Sequence, residues 1–113
     1  MVHAPTISVI ICAYTDVRWN DLIEAVASMR RQQLAPAEVI VVVDHNSGLL
    51  ARARAEFPDV TVIENTGPQG LSGARNSGLA AASGEIAAFM DEDATADPAW
   101  LKEHRDLAKG GMP

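Results

Sequence analysis

The chain has 113 residues, 48% of them hydrophobic, which is the length of one domain or part of one with enough apolar material for a core; intrinsic disorder is excluded. Its net charge of −6 speaks against a duplex-DNA binder, which needs a basic stripe to displace counterions, and its single cysteine, Cys12, excludes an intrachain disulfide scaffold. No apolar run approaches the ~20 residues that span a bilayer, and the segment Met1–Pro5 lacks the basic and apolar regions of a secretory signal, so a cytoplasmic location is expected.

The hydrophobic pattern alternates between two periods. Ile7–Cys12 is a β-branched run that reads as a buried strand. Leu22, Ile23, Val26 and Met29 recur at helical spacing, with Asn20 as the expected N-cap. Glu38–Val43 is a second strand, nearly all β-branched, as suits a strand covered on both faces. A helix from about Leu49 to Phe57 is stopped by Pro58, and Val60–Ile63 is a third strand. After the turn Gly67-Pro68-Gln69-Gly70, an Ala-rich helix runs from Leu71 to Ser83, with Gly84 as its expected C-terminal stop. Ile86–Met90 is a fourth strand. Asp97-Pro98 then reads as an N-cap and first helical residue, for a helix with Trp100, Leu101, His104 and Leu107 on one side that stops near Gly110-Gly111.

This β-α-β-α-β-α-β-α order implies an α/β fold, a mostly parallel sheet of about four strands with helices on both faces and right-handed crossovers. No internal repeat or linker divides it. Residues 1–113 are expected to be a single region and the front part of a larger domain, because four strands make a small sheet.

Ligands of open parallel sheets bind beyond the carboxyl ends of the strands, near the reversal of strand order. The first strand ends in Cys12-Ala13-Tyr14-Thr15, the second in Asp44-His45-Asn46-Ser47 and the fourth in Asp91-Glu92-Asp93. Negative charge concentrates around that last triplet: Met1 to Gly84 holds eight acids and six bases, whereas Glu85 to Pro113 holds seven acids and three bases. Carboxylates on a tight turn after a rigid strand suit a hard divalent cation, Mn²⁺ or Mg²⁺, whose other ligands are water and phosphate oxygens; an acidic surface turn is the plain alternative. Arg75 stands in a helix entered through glycines, a setting that favours phosphate. Asp44 and His45 are candidates to read a base or ribose, or are simple turn residues, and Tyr14 is a candidate to stack on a base. Cys12 reads as a small buried hydrophobe, and Trp19 and Trp100 as packing residues. A dinucleotide fingerprint, a P-loop, a zinc site and a nucleophile elbow are all missing from the sequence.

Four segments together carry a resemblance: Ile7–Tyr14, Val41–Ser47, Gly70–Leu79 and Gly84–Asp93. In that order and spacing they resemble the nucleotide-sugar-binding half of family 2 glycosyltransferases of the GT-A fold, over about Thr6 to Leu101. The resemblance implies metal-dependent transfer of a sugar from a nucleoside diphosphate sugar to an unknown acceptor (a glycan, lipid or small molecule), with inversion at the anomeric carbon. It implies that Cys12, Ala13 and Tyr14 border the base, that Arg75 lies near the base or diphosphate, and that Asp91 and Glu92 face ribose and phosphates. Asp93, with Asp91, would hold the metal. The chain departs from the family where Cys12-Ala13-Tyr14 replaces the usual Pro-Thr-Tyr and where His45 replaces a second acid, so the base stays open among uridine, guanosine and thymidine. The family's catalytic base comes from the acceptor-binding half, expected beyond Pro113, so none is assigned and the fragment alone is expected not to turn over. No nucleic-acid partner is expected, and membrane association only through that further sequence. Two other readings remain: a non-catalytic nucleotide-binding module, and a nucleotidyltransferase, whose Gly-rich basic loop after the first strand is missing. A phospho-acceptor receiver would need an acidic pair there and a strand-end lysine, and neither is present.

Overall fold

Two strands rich in β-branched residues form the centre of the sheet. Ile7–Ala13 (β1) and Glu38–Val43 (β2) pair in parallel, with Val9, Ile10, Ile11 and Ile40 to Val43 wholly buried. Each such side chain contributes on the order of 2 kcal/mol of apolar burial. In this computed structural model, which describes residues 5–109, Thr61–Glu64 (β3) adds to β2 and Ile86–Asp91 (β4) adds to β1. The sheet is all-parallel with order β3-β2-β1-β4. The edge strands alternate buried and exposed positions, as half-covered strands do.

The helices are Trp19–Arg30 (α1), Ser47–Glu56 (α2), Leu71–Ala81 (α3) and Trp100–Lys109 (α4). They cover the two faces unequally. Leu22, Val26 and Met29 of α1, Leu49 and Ala53 of α2 and Leu101 of α4 pack with Ile7, Val9, Ile11, Val41 and Val43 in the larger core. On the other face, α3 alone packs over β1 and β2, through Ala74 against Ile10, Ile40 and Val42. Its approach is close: a Cβ on Gly78 would lie 2.5 Å from Ile10 Cγ2. No helix among the described residues is long and apolar enough to cross a membrane.

Several boundaries differ from the sequence reading. Asn20 is not the N-cap of α1, because a 3₁₀ turn at Asp16–Arg18 runs directly into the helix and makes Trp19 helical; Thr15 Oγ1 caps that turn, accepting from Val17 N at 3.2 Å. Gly84 does not stop α3, which ends at Ala81 with Ala82 extended. Glycine is required at 84 for close approach instead, since a Cβ there would sit 2.6 Å from Ser8 Oγ and 2.7 Å from Ser8 N. Strand β3 begins at Thr61, one residue after Val60. Asp97 caps a turn through Ala99 N at 2.9 Å, and α4 starts only at Trp100. Leu107 does not join Trp100 and Leu101 in packing; it is exposed. The expected stop near Gly110-Gly111 lies outside the described residues.

Candidate functional site

The chain runs outward from β1 through β2 to β3 and then returns to place β4 on the other side of β1. Strand order therefore reverses between β1 and β4, where Cys12 stands in register with Asp91. Because α3 covers β1 and β2, the β4 side of that face stays open, and Phe89 and Asp91 are exposed on it. The outcome is a cleft of about 580 Å³, within the ~300–1,000 Å³ usual for small-molecule sites.

All nine site residues named from the sequence line this one cleft. Cys12 and Ala13 end β1 and Tyr14 follows it, Asp44 and His45 follow β2, Arg75 comes from α3, and Asp91 ends β4 with Glu92 and Asp93 in the turn after it. Tyr14 is exposed at the mouth, while Ala13 is almost wholly buried and presents little surface. Burial pushes the Cys12 thiol up to about 11, against the opposing pull of the Arg75 guanidinium, so it is a neutral thiol. The Arg75 guanidinium carbon lies 5.2 Å from the centre of the Phe89 ring, a cation–π arrangement.

Asp44 is engaged by the protein itself. Its Oδ1 accepts from Asn65 Nδ2 at 2.8 Å and its Oδ2 from Gly70 N at 2.8 Å. That places a carboxylate at the amino end of α3, where the helix dipole favours it. His45 adopts φ 50°, in the left-handed region that histidine tolerates better than most side chains. Its Nε2 donates to the Gly67 carbonyl at 3.0 Å, which in the neutral ring leaves Nδ1 as an acceptor. Asn46 caps α2 by accepting from Leu49 N at 3.0 Å and donates to the Tyr14 carbonyl at 3.2 Å, so it ties the β1 loop to the β2 loop.

Glu92 is the least satisfied group. Its side chain is only 6% exposed, and Oε2 is buried with no hydrogen-bond partner. Burial pushes its carboxyl up to about 7, while Arg18 pulls the other way. A buried carboxylate oxygen in a cleft wall calls for a partner, from water, an ion or a ligand atom. Among the described residues no group of three or more His, Cys, Asp or Glu side chains converges as a cation cage. The donors available are hard oxygens, and Asp91 and Asp93 at the cleft rim fit a cation that takes its remaining ligands from phosphate and water.

Two residues escape the sequence reading. Asn65, immediately after β3, anchors Asp44 and the following loop; the rule that inspects strand ends finds it once the third strand is included. Arg18 lines the cleft from the 3₁₀ turn and pairs with Asp93 at 3.0 Å. No local signal marks that contact, since the partners are 75 residues apart.

The family described as "Glycosyl transferase family 2" matches residues 8–112. The chain is similar to the glucosyl-dolichyl phosphate glucuronosyltransferase of Haloferax volcanii, 32% identical over 99 residues that cover 85% of this chain and 32% of that protein. It is similar to the succinoglycan biosynthesis protein ExoO of Rhizobium meliloti, 31% identical over 100 residues that cover 87% of this chain and 28% of that protein. The chain thus spans about a third of the length of these relatives. Among solved structures, S. aureus TarS in complex with UDP superposes with a TM-score of 0.77 at 22% identity, over 93% of this chain and 32% of that one. The mannosyltransferase PcManGT of Pyrobaculum calidifontis, in complex with GDP-Man and Mn²⁺, gives a TM-score of 0.66 at 25% identity, over 88% of this chain and 33% of that one. The fold is the GT-A fold that the sequence motifs imply.

Proposed function

The chain belongs to glycosyl transferase family 2, and from that premise we propose that its cleft binds a nucleoside diphosphate sugar with Mn²⁺ or Mg²⁺, for transfer of the sugar to an acceptor with inversion at the anomeric carbon. One observation carries this reading. Four segments far apart in the chain meet in a single cleft at the reversal of strand order, and they bring aromatic, cationic and carboxylate groups together there. The ligands named for two similar structures, UDP for TarS and GDP-Man with Mn²⁺ for PcManGT, are of the same class.

In this reading Cys12, Tyr14 and His45 face the base, with His45 Nδ1 free to accept from a ring N–H. Asp91 and Glu92 face ribose and phosphates, and Glu92 Oε2 finds there the partner it lacks in the free protein. Arg75 supplies positive charge to the diphosphate. Asp91 and Asp93 hold the cation, which when bound stabilises the negative charge growing on the departing diphosphate. No residue of the 113 is assigned as the base that deprotonates the acceptor; the role of these residues in this reading is to hold the donor.

Calorimetric titration with UDP, GDP and dTDP, each with and without Mn²⁺, tests the reading. Metal-dependent binding of at least one nucleotide is expected, with the metal dependence lost in Asp93→Ala. Equal binding with and without Mn²⁺, unchanged in Asp93→Ala, would contradict it.

A further inference from the structure

Arg18 lies outside all four motifs, yet it stands at the most acidic part of the cleft. Its Nη1 is 3.0 Å from Asp93 Oδ2, and the two side chains are 42% and 51% exposed. Of the residues lining the cleft, Arg18 and Arg75 are the two permanent cations, set against the four carboxylates of Asp44, Asp91, Glu92 and Asp93. Beside them Glu92 Oε2 is buried without a partner, a second and independent mark of a site that awaits a ligand. Arg18 closes the 3₁₀ turn Asp16–Arg18, none of whose residues is buried, so its guanidinium can swing without disturbing the core.

Resting on the reading of Asp93 as a cation ligand, we infer that Arg18 is a binding residue of the diphosphate site that stands in for the cation at Asp93 in the free protein and gives that place up when nucleotide and cation enter. A guanidinium and a hard divalent cation compete for the same carboxylate. The cation binds oxygen at about 2.1 Å, and a positive charge held about 3 Å from that oxygen repels it. An incoming diphosphate offers the guanidinium oxygens that match its planar fork at least as well as Asp93 does. Nucleotide therefore draws Arg18 away and opens Asp93. By linkage, the cation must raise nucleotide affinity by the same factor.

The test titrates Mn²⁺ alone into the wild-type chain and into Arg18→Ala, Arg18→Gln, Arg30→Ala and Asp93→Ala. It then titrates UDP, GDP and dTDP at saturating Mn²⁺. Arg30 pairs with Asp59 away from the cleft and controls for the loss of one positive charge. Both Arg18 variants are expected to bind Mn²⁺ alone about two- to five-fold more tightly, the scale of an exposed ion pair, and to bind nucleotide more weakly. Arg30→Ala should leave both unchanged. Mn²⁺ affinity equal to wild type in the Arg18 variants, or an equal rise in Arg30→Ala, overturns the inference and leaves the cation site standing if Asp93→Ala still abolishes Mn²⁺ binding. If Asp93→Ala changes nothing, the cation reading falls as well.

Discussion

Asn65 is 1% exposed and uses its full hydrogen-bonding capacity. Its Nδ2 donates to Asp44 Oδ1 at 2.8 Å and to the Pro68 carbonyl at 2.9 Å, while its Oδ1 accepts from Gly67 N at 3.0 Å and Ser77 Oγ at 2.8 Å. This one carboxamide fixes the loop before α3 and, through Asp44, one wall of the cleft. Asn65→Ala strands several of these groups at once and is expected to cost about 2–4 kcal/mol in urea unfolding. A loss below about 1 kcal/mol would show that water replaces the side chain. The same residue marks how far site chemistry could be read from sequence. That Cys12, Tyr14, His45, Arg75 and Asp91 to Asp93 share one cleft was recognisable because each stands at or just after the end of a strand, or in the first half of a helix entered through glycines. The pairing of Arg18 with Asp93, and the capture of both Asp44 oxygens by Asn65 and Gly70, were not. Hydrogen bonds between residues distant in the chain leave no period or spacing in the sequence.

At the scale of elements, the hydrophobic pattern identified the four strands and four α-helices of the described residues; the errors were the 3₁₀ turn at Asp16–Arg18 and element ends set by a local turn or by tertiary contact. Gly84 shows the cause: it follows an Ala-rich helix and so reads as a C-cap, yet it is needed because Ser8 of β1 comes close. Around that approach Glu38 joins three segments. It accepts from Ser8 Oγ at 2.6 Å, from Ser83 N at 2.6 Å and from Ser83 Oγ at 2.8 Å, and these hydrogen bonds hold its carboxyl below the ordinary 4.5. A folded-state value below the unfolded one gives a contribution that is present above pH about 4.5 and lost as the pH falls through the folded value. Thermal unfolding between pH about 3 and about 4.5, below the range in which Glu92 titrates, is therefore expected to show stability falling on acidification, with a shallower slope in Glu38→Gln. An identical slope in the variant would remove Glu38 from the account.

For the whole molecule, the alternation of strands and helices was enough for a parallel sheet, but strand order was not written in it. Right-handed crossovers permit β4 to add beyond β3 or beside β1. The order β3-β2-β1-β4 is what brings Cys12 level with Asp91 and leaves a single helix on the cleft face. In the proposed function, one cleft built from four segments takes the nucleotide. Amide chemical shifts of the chain, recorded as UDP, GDP and dTDP are added with Mg²⁺, test it most directly. The largest changes are expected to fall together on Cys12 to Tyr14, Asp44 to His45, Gly70 to Arg75 and Asp91 to Asp93. Changes centred instead on the hollow between Ile63 and the outer side of α3, around Thr66, Asn76 and Ala80, would contradict it.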